Sequence, residues 1–324
     1  NGDITSIIQD VIGFINDMSN SDLQYFEKNR HLKYTLKEIL NKSPEYLVHE
    51  YLQDVWKPLY VTEVAQDMEK LNLNFVGSAD PIENFPEFFM STKSMELMEC
   101  VSDKVMAELI KDFSCNQWYR RELYSKGLNK LNNISTMKRF DDLKFTNLCD
   151  PDEMNFKYDS LIGTINIEFK NCKNVVDTVL KGCGSFEDIQ NAVGGDIDVA
   201  LKTISALFST GYIHPCRDSF DSEPASRLNR VIAERVRQGE SYRYIAVPMI
   251  GSAMKADDIE IIAIDLLLEG KGETEEQLAS GIYEAFFENG RYIARFGGIL
   301  EKYEVNLEEI RDRVKYIFHK KVPI

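Results

Sequence analysis

The chain is short of positive charge. Its 38 Lys and Arg residues face 53 Asp and Glu, a formal net charge of −15 over 324 residues. Bulk binding to nucleic acid needs Lys and Arg to neutralise phosphates, and polybasic attachment to a membrane surface needs the same residues in clusters, so neither is expected. Histidine is scarce, with only His31, His49, His214 and His319. With no nucleophile-elbow motif beside them, no Ser-His-Asp or Cys-His constellation can be built. No stretch approaches the ~18 consecutive apolar residues of a membrane span. The six cysteines contain no C-x-x-C pair. In a chain of this size they read as free thiols in a reducing, cytoplasmic compartment. The same spacing disfavours zinc, whose ligands usually come in close pairs. An initiator Met and a basic signal-peptide region are both missing from Asn1-Gly2-Asp3-Ile4. The expectation is therefore a piece of a longer or processed polypeptide, without a membrane segment.

What is present is an ordinary globular composition, 44% hydrophobic and 28% charged, able to bury a real core. The apolar spacing predicts an α+β, predominantly helical chain. Residues 1–137 read as a helical domain, with Ile7, Ile8, Val11, Ile12 and Ile15 at helical spacing. Ser43-Pro44 opens a helix carrying Tyr46, Leu47 and Tyr51, and Thr62 is expected to cap the next. Residues 91–131 return to helix, with Trp118 and Leu123 continuing its series towards Gly127. From 138 to 172 the partial alternation of Phe145, Tyr158, Ile165 and Ile167 predicts a strand-rich connector. Residues 173–218 run helix, turn, helix, short turn, longer helix and strand, the order of a winged helix. Ser185 and Asp196 are expected to cap its second and third helices. Residues 219–324 form a C-terminal helical segment, with an extended piece at 244–248 and helices at 259–268, 275–287 and 307–318.

Four motifs invite a chemical reading. His49-Glu50-Tyr51-Leu52-Gln53 lacks the second imidazole that a zincin helix places at i+4. A buried, hydrogen-bonded His49 is preferred, and a metal-dependent hydrolase using His49 and Glu50 is the lesser alternative. Leu180-Lys181-Gly182-Cys183-Gly184-Ser185 has glycines, but Glu187 stands where the third glycine of a nucleotide loop belongs. A turn between helices is preferred. The third helix of the winged-helix-like unit carries Lys202 against Asp196 and Asp198, a poor charge balance for a groove-reading helix. Asp112, Phe113, Trp118, Tyr119, Arg120 and Arg121 form either an anion clamp or an ion-paired helix.

The run Tyr46-Leu47-Val48-His49-Glu50-Tyr51-Leu52, followed by Trp56, Pro58 and Tyr60, resembles the regulatory region that follows the catalytic domain in bacterial S-adenosylmethionine-dependent methyltransferases. Among these are the rickettsial-type protein-lysine methyltransferases. The resemblance continues through Leu73-Asn74-Phe75-Val76-Gly77-Ser78-Ala79, then Asp112-Phe113, Asn116, Tyr119-Arg120-Arg121 and Gly127. It returns more weakly at Arg227-Leu228-Asn229, Tyr244-Ile245-Ala246-Val247-Pro248 and Gly251-Ser252. Gln117 departs from the family pattern, where Arg is expected.

The resemblance implies a non-catalytic regulatory and substrate-recognition module of a class I methyltransferase, with S-adenosylmethionine held in a catalytic domain outside this chain. The implied partners are that catalytic domain and a protein substrate, with a basic segment favoured by the −15 charge. Nucleic acid and membrane are not expected, and the oligomeric state is open. His49, Glu50, Tyr51 and Trp56 are expected to face the catalytic domain, supported by Asp112, Arg120 and Arg121. A winged-helix adaptor for a partner protein or nucleic acid is the alternative.

Overall fold

The computed structural model describes residues 4–127 apart from 41, 52, 53, 56 and 118. It also describes 138–287 apart from 150, 152, 153, 156, 161, 162, 167, 168 and 181, and then 290, 294–295, 298–299, 310–311 and 314. The chain divides into two units, Asn1–Val64 and Ala65–Ile324. As expected, it is mainly helical with a few small antiparallel sheets, an α+β fold.

The first unit contains α1 (Ile4–Asn20), α2 (Gln24–Lys28), α3 (Arg30–Leu40) and α4 (Pro44–Tyr51). Helix α1 packs against α3 and α4. Its interior is thin: Ile8, Phe26, Leu47 and Val61 are buried. The other side of α1 leaves Ile7, Val11 and Phe14 exposed. Helix α5 (Val61–Glu69) follows. It starts one residue before the expected Thr62 cap, because Glu63 Oε2 reaches back to accept the Tyr60 N–H at 2.9 Å and satisfies that end of the helix.

The second unit begins with β1 (Leu73–Ser78), entered through Asn72 in the left-handed conformation. Two 3-10 turns, Pro81–Asn84 and Pro86–Phe88, precede α6 (Thr92–Glu99) and α7 (Lys104–Cys115). The single helical series expected over 91–131 is thus broken. Asp103 caps α7 through the Val105 N–H, and Asn116, at φ 51°, ends it. The expectation for Leu123 is corrected too. It lies on β2 (Glu122–Lys126), antiparallel to β1 from Leu73↔Lys126 to Ser78↔Glu122, with a bulge between Phe75 and Gly77. Five residues of helical composition become a strand because a distant partner edge is available, a tertiary override of local preference.

β3 (Lys144–Asn147) and the hairpin β4 (Lys157–Ser160)–β5 (Gly163–Asn166) supply the strands expected before residue 172. Then come α8 (Phe169–Val179), β6 (Gly184–Ser185), α9 (Phe186–Ala192), α10 (Ile197–Ser209) and β7 (Ile213–Cys216). Ser185 and Asp188 form a capping box at α9, and Asp196 caps α10 through the amides of Asp198 and Val199. Both caps are where the sequence puts them. The sheet order is β6-β3-β7. Its middle strand therefore comes from upstream of α8, and the element after β7 is a helix, α11 (Glu223–Arg237). Ile82, Phe145, Val175, Val176, Phe186, Leu207 and Ile213 build the core here.

A second core joins α11, the hairpin β8 (Tyr244–Val247)–β9 (Ser252–Lys255), α12 (Asp258–Leu268) and α13 (Glu275–Phe287). Gly239, at φ 94°, closes α11, with the Glu240 N–H returning to Arg235 O, a Schellman-type ending. Of the helix expected at 307–318, only residues 310, 311 and 314 lie among those described; Ile310 and Val314 join this core. No helix among the described residues is long and apolar enough to cross a membrane.

The cysteine expectation is corrected in part. Cys183 and Cys216 form a disulfide, and Cys100, Cys115, Cys149 and Cys172 are thiols outside any disulfide. The pair is invisible as a motif because 33 residues separate its members. They meet because β6 and β7 both flank β3, which brings their Cα atoms to 6.4 Å.

Candidate functional site

The sequence-derived residues fall in different parts of the chain. His49, Glu50 and Tyr51 lie at the C-terminal end of α4 in the first unit. His49 is exposed, which corrects the expectation that it is buried. The core of that unit takes Leu47 from the helix and leaves the 49–50 face outward. Tyr51 is half-buried, its ring 6.5 Å edge-on from Tyr46. Burial pushes its phenol up, with Tyr46 and Glu50 adding to the effect. Trp56, like Trp118, lies outside the described residues. No group of three or more His, Cys, Asp or Glu placed to hold a metal occurs among the described residues.

In the second unit, the structure brings Asp112 and Arg120 together. Helix α7 presents Glu108 and Asp112 one turn apart on one face. The strand entry at Arg120 crosses that face. Arg120 donates through Nη2 to Glu108 Oε2 at 2.6 Å, through Nη1 to Asp112 Oδ1, and through Nε to Glu122 Oε1 at 2.5 Å. Its side chain is 15% exposed. All three nitrogens of the guanidinium are thus engaged within the chain.

The network extends on both sides. Lys111, one of the few buried charged residues, places Nζ 2.7 Å from Glu108 Oε2 and 3.1 Å from Glu83 O. Tyr124 donates its hydroxyl to Glu122 Oε2 at 2.7 Å. Gln117, the departure from the family pattern, donates to Glu83 Oε2 at 3.4 Å and to Tyr119 O at 3.3 Å. Its amide therefore serves the local fold as a neutral donor. Gly77 is required beside this network: a Cβ there would stand 2.6 Å from Asn84 Oδ1, the atom that accepts the Ser78 N–H.

One cation shared among three carboxylates explains the electrostatics. Burial opposes the charge on Arg120, but Glu108, Asp112 and Glu122 outweigh it and hold the guanidinium's pKa above its usual value. Asp112 shifts upward as well. Burial is the larger influence there, and the share of Arg120 and Lys111 that reaches it does not offset burial and the neighbouring Glu108. Asp112 receives only part of the Arg120 charge, so both directions hold together. Burial, then the Glu122 contact, also raises the Tyr124 phenol well above its ordinary range.

Arg121, the adjacent residue, has a different environment. Its side chain is 65% exposed and approaches Asp80 Oδ2 only at 3.6 Å. Its main-chain carbonyl accepts the Ala79 N–H at 2.8 Å, extending the β1–β2 pairing. Phe113 and Tyr119 are 70% and 66% exposed. Of the two readings of this block, the geometry favours an ion-paired scaffold at Arg120. Sequence reasoning did not include Glu108, Glu122 and Tyr124. The Glu108/Asp112 i,i+4 pair was a usable signal for the first.

The glycine-containing segment before α9 likewise holds a disulfide and a short strand, β6, rather than a plain turn between helices. Lys202 on α10 is paired with Glu87 at 2.6 Å and Asp198 at 2.5 Å.

With this geometry in place, comparison with known proteins gives a consistent picture. Residues 43–126 match the model of a family described as a predicted methyltransferase regulatory domain. That interval overlaps both blocks on which the sequence resemblance rests. An uncharacterized protein, sll1526, from Synechocystis sp. (strain ATCC 27184 / PCC 6803 / Kazusa) is 22% identical over 316 residues. The aligned part is 95% of this chain and 62% of that protein, so this chain spans less than two thirds of its relative's length. The structure of PKMT2 from Rickettsia typhi shares the fold with a TM-score of 0.54 at 15% identity, over 97% of this chain and 68% of that one. PKMT2 in complex with AdoHcy gives 0.53 at 13% identity, over 96% and 70%. The regulatory-region resemblance is therefore borne out, and so is a fold shared with a rickettsial protein methyltransferase.

Proposed function

We propose that this chain is the non-catalytic regulatory and substrate-recognition part of a class I S-adenosylmethionine-dependent methyltransferase acting on protein lysine. The observation that carries the proposal is the regulatory-domain match at residues 43–126. The fold shared with PKMT2 supports it. So does the part of sll1526 that this chain does not cover, which leaves room in such proteins for a cofactor-binding domain. In this reading the exposed His49–Glu50 end of α4 and the exposed guanidinium of Arg121 meet partners. The Arg120 network fixes the β1–β2 scaffold that carries Arg121. The −15 charge favours a lysine-rich segment as the methyl acceptor.

The test is calorimetry on the chain as it stands. S-adenosylmethionine is expected to give no saturable heat. A lysine-rich peptide is expected to bind, with affinity falling as salt rises. Saturable cofactor binding by this chain, with methyl transfer to the peptide, overturns the non-catalytic reading.

The alternative is a winged-helix adaptor, prompted by the three helices and the β6-β3-β7 sheet. The pairing of Lys202 with two carboxylates speaks against nucleic acid as its ligand. Salt-dependent binding to duplex DNA would favour the alternative.

A further inference from the structure

The feature that nothing above accounts for is a cavity of about 270 Å³ among α11, the β8–β9 hairpin and α12. It is close to the lower end of the ~300–1,000 Å³ typical of small-molecule sites. Its wall is mostly hydrocarbon, from residues such as Val247, Met254 and Ile264. Phe220 and Leu268 also line it while remaining 42% and 50% exposed, so apolar surface stays in water until something covers it.

The polar groups in the lining are few, and their commitments differ. Asn229 is fully used: its side chain donates to Ala246 O and accepts the Ala246 N–H, both at 2.8 Å. This pair of bonds fixes α11 to the outer edge of β8 and makes the wall rigid. Glu260 is engaged as well, accepting the Asp257 N–H at 2.9 Å in the capping box of α12. Lys255 is an exposed cation with no ion pair among the described residues. Ser222 precedes α11 without capping it through its side chain, and Ser226 lies one turn further on.

We propose that this cavity binds a small amphipathic carboxylate, with its hydrocarbon body inside and its head group on Lys255 and the Ser222 and Ser226 hydroxyls. Apolar burial supplies the attraction, and an uncommitted ammonium with two hydroxyl donors selects the head group. An amine of the same length would set like charges together at Lys255. An alcohol would leave the ammonium without a counter-charge. The overall charge of −15 opposes any anion at long range, so selection for a carboxylate must come from these local groups. The inference goes beyond the regulatory reading and stands without it. If that reading holds, the cavity is an effector site on the regulatory part.

The test is titration of the intact chain with octanoate, octan-1-ol and octylamine, followed by ligand-observed NMR and calorimetry. Octanoate is expected to bind saturably at one site, at least tenfold more tightly than the other two. K255Q should weaken octanoate at least tenfold and leave octan-1-ol unchanged. Lys255 is exposed, so this variant is expected to fold. S226L, which fills the cavity, should abolish binding of both. Three outcomes would each overturn the proposal: no saturable octanoate binding, equal binding of octan-1-ol and octanoate, or unaltered octanoate affinity in K255Q. The second would indicate a pocket for an apolar side chain of a partner protein.

Discussion

Around Arg120, two cations and three carboxylates lie within ion-pairing distance of one another, and the large neighbours Phe113, Tyr119 and Leu123 face outward. Around Ile262 the situation is reversed. Helices α11, α12 and α13 bury Val236, Ile261, Ile262, Leu278 and Ile282, with the Arg237–Asp265 pair nearby at 2.7 Å. One region is held in register by directed charge, the other by undirected hydrocarbon. Charge of this kind requires its partners, since burying an ion unpaired costs far more than burying it paired. Hydrocarbon requires only volume. The region built from charge should therefore be specific but brittle, and the region built from hydrocarbon should tolerate reshaping, including a cavity beside it.

The largest effect is expected from Arg120→Met. It removes the shared cation and leaves Glu108, Asp112 and Glu122 facing one another. The loss should be about 3–5 kcal/mol of unfolding free energy, read from urea titration. If the variant loses less than about 1 kcal/mol, the network is loosely solvated and the contrast between the two regions fails.

Leu278→Ala comes next. Leu278 is fully buried on α13, so the lost transfer energy and the cavity left behind should together cost about 2–5 kcal/mol. The replacement Leu278→Met conserves volume and should cost less than about 1.5 kcal/mol. Conservative rescue here, set against its failure for Arg120→Lys, sharpens the comparison. Lys has one point charge and cannot engage three carboxylates as the planar fork does.

A smaller effect is expected in the pH profile. The folded-state pKa of Asp112 is raised, so between the unfolded value and the folded one the native state holds more protons than the unfolded state. Its contribution to stability is present below the unfolded pKa and is lost as pH rises through the folded pKa. Tyr124 follows the same sign at alkaline pH, where its contribution is lost as pH rises above about 10. Tyr124→Phe should flatten the alkaline decline relative to the parent chain, followed by denaturant midpoints at pH 8 and 10.5. An unchanged decline would place its cause elsewhere.

The two regions also differ in what their sequences disclose. Caps act within a few residues, so Ser185 and Asp196 announce their helices, and the apolar run at 259–268 announces α12. β2 does not announce itself, because the partner of Glu122 is Ser78, on a strand that ended before the whole of α6 and α7. The disulfide is hidden for the same reason, since only the sheet order brings Cys183 to Cys216. At the site, Asp112 and Arg120 could be picked out as a pair of candidates. That Arg120 would be consumed by three carboxylates could not, because Glu122 reaches it only once β2 exists. His49 erred in the opposite direction. Its helix is apolar enough to suggest burial, but the thin core of the first unit takes Leu47 and leaves His49 outside.

The smallest expected effect belongs to the neighbour of the largest. Arg121 is mostly exposed and meets Asp80 at 3.6 Å, a geometry in which ion pairs contribute about 0–1 kcal/mol. Arg121→Ala should lower stability by no more than about 0.5 kcal/mol and leave the pH profile unchanged, because its guanidinium takes no part in the Arg120 network. The main-chain bond from Ala79 to its carbonyl survives the substitution. A loss comparable to that of Arg120→Met would mean that the two arginines act as one unit. The separation between a charge that builds the scaffold and a charge left for a partner would then not hold.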